Sequence, residues 1–404
     1  MDSLALARSF DINSIDAAFL ADPYPTYRAL QEHDPVHRNQ DGSFFLSRYA
    51  DVELTYKHRS MISDKRAEFA PKFGAGPLYE HHTTSLVFND PPYHTRVRKL
   101  LAAAFSPRKL AELRPVIEGI VSRTLDGLEG RDQFEAIEEF ALPLPTQVIS
   151  RMLAVPESHR GLLRNYSKLI LGALDPVITE AQLAAGNAAV EEFGALLRDL
   201  IRHRRAHPEG AVGGEMLAAL VFGEIDGERL NDEELVHNCI FLLNAGHETT
   251  TSLVGSGLAL LMDHPDQLQR LKDDPALIDT AVDEFLRFES PLQIGNRKTT
   301  EPVIFSGVTV PPGTYLHTSI GAANRDPAMF PDADSLDIGR KPNAHLAFIT
   351  GRHTCLGNAL GRMEGRIAIG AFVKRFPRMR RAGPGTLLGR ARFRGYDRLP
   401  IAVR

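Results

Sequence analysis

A mainly α-helical fold with a minor β-sheet lobe is predicted by three features of the sequence. Apolar residues recur at three- and four-residue spacing across long segments, 107–128, 181–205 and 265–288 among them, which is the period of a helix that buries one face. Short runs rich in β-branched and aromatic residues, bracketed by turn formers, are confined to about 35–50 and 300–322. No internal repeat, low-complexity block or interdomain linker interrupts the chain, so residues 1–404 read as a single domain.

Taken in order, the first strand pair is 35–38 with 44–48, flanking Asp41-Gly42, because a glycine tolerates the positive φ of a hairpin turn. The second group is 303–305, 308–310 and 315–320, separated by Ser306-Gly307 and Pro311-Pro312-Gly313. The longest helix is expected to start at Asn231, whose side chain can cap free amides while Glu234 reaches back, and to end near Asp263.

Composition narrows the function classes. An apolar fraction of 43% over 404 residues supports a sizeable core, and a net charge of −4 argues against a nucleic-acid binder. The charge is uneven: residues 340–404 hold fifteen Lys or Arg against Glu364 and Asp397. That excess is either a solvated face or the surround of a docking surface for an acidic partner. The start, MDSLALARSFDINS, lacks the pattern of a signal peptide, and no run of about twenty apolar residues follows. With two cysteines, Cys239 and Cys355, a disulfide framework is excluded, and the cytoplasm is the expected compartment.

The middle of the predicted long helix reads NAGHETTTS, Asn244 to Ser252. A zinc-protease helix needs a second His one turn after the first, and Thr251 stands there. Gly246 and the β-branched run Thr249-Thr250-Thr251 are poor helix formers, Gly by up to about 1 kcal/mol against Ala. Local propensity set aside at one place suits either a tight helix crossing with a solvent-facing Glu or a ligand laid flat against the small Ala245-Gly246 pair.

Further on, HLAFITGRHTCLGNALGRMEGRIAI carries Cys355 in a glycine-bearing loop immediately before a helix with Leu356, Leu360, Met363 and Ile367 on one face. Free amides at the helix start, with Arg352 and His353 adjacent, favour a thiolate, either a metal ligand or a nucleophile. Cys239 has no such surroundings and reads as a small buried apolar residue.

The Cys355 segment resembles the haem-ligand loop of the cytochrome P450 family, F-G-x-G-x-H-x-C-x-G, matched at Phe348, Gly351, His353, Cys355 and Gly357. Ile349 replaces the first Gly, and Gly361 replaces the usual Ala before Arg362. Glu284 and Arg287 are similar to the family's E-x-x-R motif, with Arg340 the third member of that ion-paired core. His94 and Arg98 in DPPYHTRVRKLLAAAFSP, together with Arg297 and His353, fall where the family holds the haem propionates. The NAGHETTTS stretch is similar to A-G-x-[DE]-T, on the long helix that crosses the haem.

The resemblance implies a P450 fold and haem b with Cys355 as thiolate ligand. It implies that Ala245 and Gly246 leave room for O2, and that Glu248 and Thr249 guide protons through water. The activity implied is monooxygenation of a small or medium apolar organic substrate. Electrons would come from an acidic iron–sulfur ferredoxin and its NAD(P)H-dependent reductase, since two cysteines cannot hold a cluster of the chain's own. A monomer without nucleic-acid or membrane partners is expected, with ferredoxin docking near Arg352, Arg362, Arg96 and Lys99. Family position points to Phe241, Leu292, Ile294 and Phe393 for the substrate pocket, with the stretches 62–89 and 163–183; each is equally a core candidate. Lys65, Arg66 and Lys72 would suit an acidic substrate or a plain surface. The rivals are a peroxygenase, although the Glu248-Thr249 pair is intact, and a non-catalytic haem-thiolate binding or sensing protein.

Overall fold

The structure is a computed structural model that describes residues 2–175, 178–208 and 215–404; residues 176 and 177 of the 163–183 stretch lie outside it. Helices dominate, and no helix among the described residues is long and apolar enough to cross a membrane. The chain forms two compact units. The first comprises 1–62, 121–141 and 249–404, the second 63–120 and 142–248.

The first unit is built on a five-stranded sheet in the order Val36–Arg38, Phe44–Leu46, Tyr315–Ser319, Ile294–Thr299, Met61–Ile62. The predicted hairpin forms with Val36 opposite Leu46, and Gly42 takes φ 84° at its turn. Phe44–Leu46 then pairs in parallel with Tyr315–Ser319, Phe45 facing His317. Because successive side chains on a strand point to opposite faces, Phe44 and Leu46 enter one apolar cluster with Tyr56 and Leu316, whereas Phe45 enters another with Phe10, Tyr27 and Ile294. Both faces of the sheet are therefore covered. The Val303–Phe305 and Val308–Val310 hairpin turns through Ser306 and Gly307, both at positive φ.

The predicted 107–128 helix is Pro107–Leu128, and 181–205 is Glu180–Ala206. The long helix is Asp232–Asp263. Its cap is the expected reciprocal one: Asn231 Oδ1 accepts from the Glu234 amide at 2.9 Å, and Glu234 Oε2 accepts from the Asn231 amide at 3.0 Å. The segment 265–288 corrects the single-helix expectation. It is two helices, Pro265–Asp273 and Ile278–Phe288, separated by a turn of 3-10 helix at Pro275–Leu277, because Pro275 has no amide to continue the ladder. The strand Ile294–Thr299 was not expected; its Gly, Asn, Arg and Lys have little β preference, and pairing on both edges sets its state.

Candidate functional site

On the long helix, Phe241, Ala245, Glu248 and Thr249 remain partly or fully open, while Leu242, Leu243, Asn244, His247, Thr250 and Thr251 are buried. These open positions are i, i+4, i+7 and i+8, one stripe of a helix. A Cβ added to Gly246 would meet nothing within 4 Å. The poorly helical stretch thus marks a flat, open strip on an otherwise buried helix, and it is not a tight helix crossing. The next residue on this stripe, Ser252, lies so close to the terminal loop that a Cβ on Gly395 would sit 2.3 Å from its Oγ. Gly395 is what lets that loop, which carries Phe393, approach. Phe393 in turn bridges Leu292, with the Gln293 amide donating to the Arg392 carbonyl at 2.8 Å. Ile294 is 1% exposed and packed in the second cluster of the sheet.

The cysteine loop is held by its own backbone. The Cys355 amide donates to the Phe348 carbonyl at 2.9 Å, and the Asn358 side chain donates to the Cys355 carbonyl at 2.7 Å. Gly351 takes φ 73°, and a Cβ there would lie 2.2 Å from the Tyr56 carbonyl, so only glycine fits. Ile349 also takes a left-handed φ of 48°, a conformation that costs a β-branched residue on the order of 1–2 kcal/mol. Its side chain packs against the cluster of Phe44, Leu46 and Leu346, which offsets the strain. A glycine-requiring turn is thus retained with an isoleucine in it. The helix that follows is Asn358–Arg375 with Gly357 at its cap, so Cys355 precedes the first helical residue by three positions. Leu360 and Met363 face inward as expected; Ile367 does so only in part, and Ile369 replaces it.

Gly361 sits inside this helix, and a Cβ there would meet only the Phe348 ring, at 3.9 Å. That is ordinary contact. Gly361→Ala is therefore expected to stabilise the protein by about 0.5–1 kcal/mol, since alanine loses less backbone entropy on folding; a urea unfolding midpoint below that of the wild type would refute it.

The ion-paired core is fully formed. Arg287 grips Glu284 through two hydrogen bonds of 2.8 Å, and both side chains are 0% exposed. Arg340 reaches the same carboxylate at 3.2 Å, and Asn343 and the Asp337 amide complete it. The remaining guanidinium donors of Arg287 bind the carbonyls of Asn324, Ala333 and Ser335.

Arg297, on the strand Ile294–Thr299, is buried and stacks over the Tyr56 ring at 4.9 Å. His353 ends a short turn at Gly351–His353. In the second unit, His94 and Arg98 lie one turn apart on the helix Tyr93–Ala102, His94 buried and Arg98 partly so. Three residues that the sequence did not single out matter here. Tyr56 carries Arg297 on its ring, faces Gly351 with its carbonyl and hydrogen-bonds Thr318 at 2.7 Å. Asp283 binds both Arg362 at 2.7 Å and His345 at 3.1 Å. Glu364 is 3% exposed and accepts from Thr250 at 3.3 Å. Its signal was its place four residues after Leu360, on the inward face of the helix.

Burial pushes the Glu364 carboxyl up from 4.5 to about 8. Between those values the folded state keeps a proton that the unfolded chain releases, so this group makes stability fall as pH rises, by about 1.4 kcal/mol per pH unit. Relative to wild type, Glu364→Gln is expected to gain stability from pH 5 to pH 8. An unchanged difference in urea unfolding across that range would contradict the burial argument.

Of the fifteen basic residues in 340–404, seven are seen paired with acids among the described residues. Arg340, Arg362, Arg366, Arg375, Arg381, Arg394 and Arg404 each pair with an acid from an earlier part of the chain. Arg362 also lies over the Phe348 ring at 4.5 Å. Arg352 is exposed and meets a carbonyl, that of Arg59, at 3.4 Å. In the second unit Arg96 pairs with Glu234 and Glu228, and Lys99 with Asp226. About half of the basic residues from 340 on are thus engaged by acids. Lys72 donates to the Asp175 carbonyl, Arg66 binds Asp64 and Asn89, and Lys65 is 1% exposed.

These residues fit a flat, thiolate-ligated group. A cysteine is held in a backbone-braced loop, an open strip of small residues interrupts a buried helix, and cationic side chains stand on separate elements. Comparison with known proteins agrees. The Cytochrome P450 family profile matches residues 35–379. The chain is 37% identical to Cytochrome P450 107B1 of Saccharopolyspora erythraea, over 97% of each chain. It is also 37% identical to the Vitamin D(3) 25-hydroxylase of Pseudonocardia autotrophica, over 95% of this chain and 94% of that one. Among solved structures, P450BioI in complex with hexadec-9Z-enoic acid ligated acyl carrier protein superposes with a TM-score of 0.91 at 33% identity, covering 96% of this chain and 99% of that one. The chain belongs to the cytochrome P450 family and is an oxidoreductase of the bacterial P450 type.

Proposed function

We propose that the protein inserts one atom of O2 into an apolar organic substrate, with electrons delivered by a ferredoxin and its NAD(P)H-dependent reductase. The observation that carries this is the pairing, in one chain, of the braced Cys355 loop with the open strip Ala245–Thr249 bearing an acid and an alcohol. When bound, haem with a cysteine thiolate supplies electron density that favours O–O cleavage. Cys355 is the residue to ligate it. His94, Arg98, Arg297 and His353 would hold its carboxylates, and Phe348, Gly351 and Gly357 shape the loop.

Glu248 and Thr249 are adjacent on the open face, where a carboxylate and a hydroxyl can order water and pass protons into a site that is otherwise apolar. Ala245 and Gly246 keep bulk away from the same face. Phe241, Leu292 and Phe393, each partly open, offer apolar contact to a substrate and exclude water. An apolar substrate is also consistent with a relative named for vitamin D(3) and with another solved in complex with hexadec-9Z-enoic acid ligated acyl carrier protein. The whole chain is read as one P450 domain, since the family match runs through both compact units.

External electrons are what membership of the family implies, and the two cysteines do not supply the four thiolates that a cluster of the chain's own usually needs. Of the docking candidates, Arg352 carries the proposal best, because it is exposed and no acid pairs with it among the described residues, whereas Arg362, Arg96 and Lys99 already have acid partners.

The test is coupling. Thr249→Ala is expected to divert reducing equivalents to hydrogen peroxide at the expense of product. Glu248→Gln is expected to slow turnover by about 10² to 10⁴, the usual range for a lost acid–base group. Product per NAD(P)H consumed and turnover rate are measured for both variants; values equal to wild type would remove the pair from proton delivery.

A further inference from the structure

In the second unit, well apart in sequence from the cysteine loop, the long helix presents Glu233 and His237 one turn apart, and the helix Pro77–Thr84 presents Glu80 to the same point. His237 Nε2 lies 3.6 Å from a Glu233 oxygen and 3.9 Å from a Glu80 oxygen, and the three donor atoms fall within 4.8 Å of one another. These separations are too long for hydrogen bonds. The His237 side chain is 3% exposed, yet among the described residues neither ring nitrogen has a hydrogen-bond partner. A buried imidazole without partners is costly and calls for an explanation. The Glu80 and Glu233 side chains are 59% and 50% exposed, so they can move and the histidine need not.

We propose that Glu80, Glu233 and His237 form a Zn²⁺ site that ties the helix Pro77–Thr84 to the first turns of the long helix. Zinc bonds of about 2.0–2.1 Å in a tetrahedron place neighbouring donors about 3.3–3.4 Å apart. The two observed N···O distances exceed that by a few tenths of an ångström, within reach of a rotation of either exposed Glu. One imidazole and two carboxylates is a donor set that takes Zn²⁺ and leaves a fourth position for water. The nitrogen ligand disfavours Ca²⁺ and Mg²⁺, which prefer oxygen alone.

The neighbouring charges are few. Arg198 reaches Glu233 at 3.1 Å, but both are exposed, and such pairs are weak. The buried His81 ring lies 5.7 Å, centroid to centroid, from that of His237.

The experiment uses the holoprotein, stripped of free divalent ions and titrated with Zn²⁺ against a chromophoric chelator. The exposed pair His203 and His207, one turn apart on another helix, is first changed to Gln so that it cannot contribute. One equivalent of Zn²⁺ bound, with a rise in the thermal midpoint, is the expected result. Glu80→Gln and Glu233→Gln, both at exposed positions that leave the fold intact, are each expected to weaken binding at least about tenfold, the loss that removing even an outer partner of a ligand produces. The haem absorption should be unchanged throughout. No zinc retained by the His203/His207 background, or an affinity indifferent to both Glu substitutions, would overturn the site.

Discussion

Glu284→Ala is expected to cost about 3–5 kcal/mol, the loss found when one partner of a buried ion pair is removed. The reason lies in the geometry around Arg287. Its guanidinium is 0% exposed, and two of its hydrogen bonds end on Glu284. Deleting the carboxylate leaves that cation buried without a counter-charge, while Arg340, Asn343 and the Asp337 amide lose a common acceptor. Against a total stability of about 5–15 kcal/mol for a typical domain, much of the protein should fail to accumulate in soluble form. Removing one partner of the exposed Lys57–Glu53 pair should change stability little. Urea unfolding of the two variants separates the cases: a Glu284→Ala midpoint close to that of wild type would mean that the buried pair contributes little to the fold.

Cys355→Ala is expected to abolish thiolate-type absorption of the reduced CO complex and, with it, turnover. Cys239→Ala should preserve both and cost only about 1 kcal/mol for the small cavity. The two thiols differ in surroundings. Cys239 is 0% exposed, and burial pushes its thiol up to about 12, so it stays protonated. Cys355 is partly open in a loop whose backbone closes at Phe348. A variant pair with the opposite spectra would reverse the assignment of the ligand.

The parts of this structure legible in the sequence are those governed by neighbours along the chain. The Asn231–Glu234 cap, the Asp41-Gly42 hairpin and the Ser306-Gly307 turn depend on residues three or four apart, and each forms as expected. The weak helical propensity of NAGHETTTS left a tight crossing or a ligand face open, and in the structure Ala245, Gly246, Glu248 and Thr249 are partly or fully open while their neighbours are buried. What the sequence hid depends on residues far apart in it. The strand Ile294–Thr299 has poor local preference and is held by partners at Met61 and Tyr315. About half of the cations from residue 340 on are met by acids such as Asp126, Asp263, Asp279 and Asp283, pairings that counting charges along the tail could not reveal. Tyr56 lies some 240 residues before Arg297, and no local pattern links them. The break at Pro275 was written in the sequence, but the apolar period on either side masked it.

Iron content and the reduced-CO spectrum of the purified wild-type protein test the central assignment most directly. One equivalent of iron per chain with thiolate-type absorption is the predicted result. A protein without iron, or one whose reduced CO complex absorbs as an imidazole-ligated haem does, would contradict it.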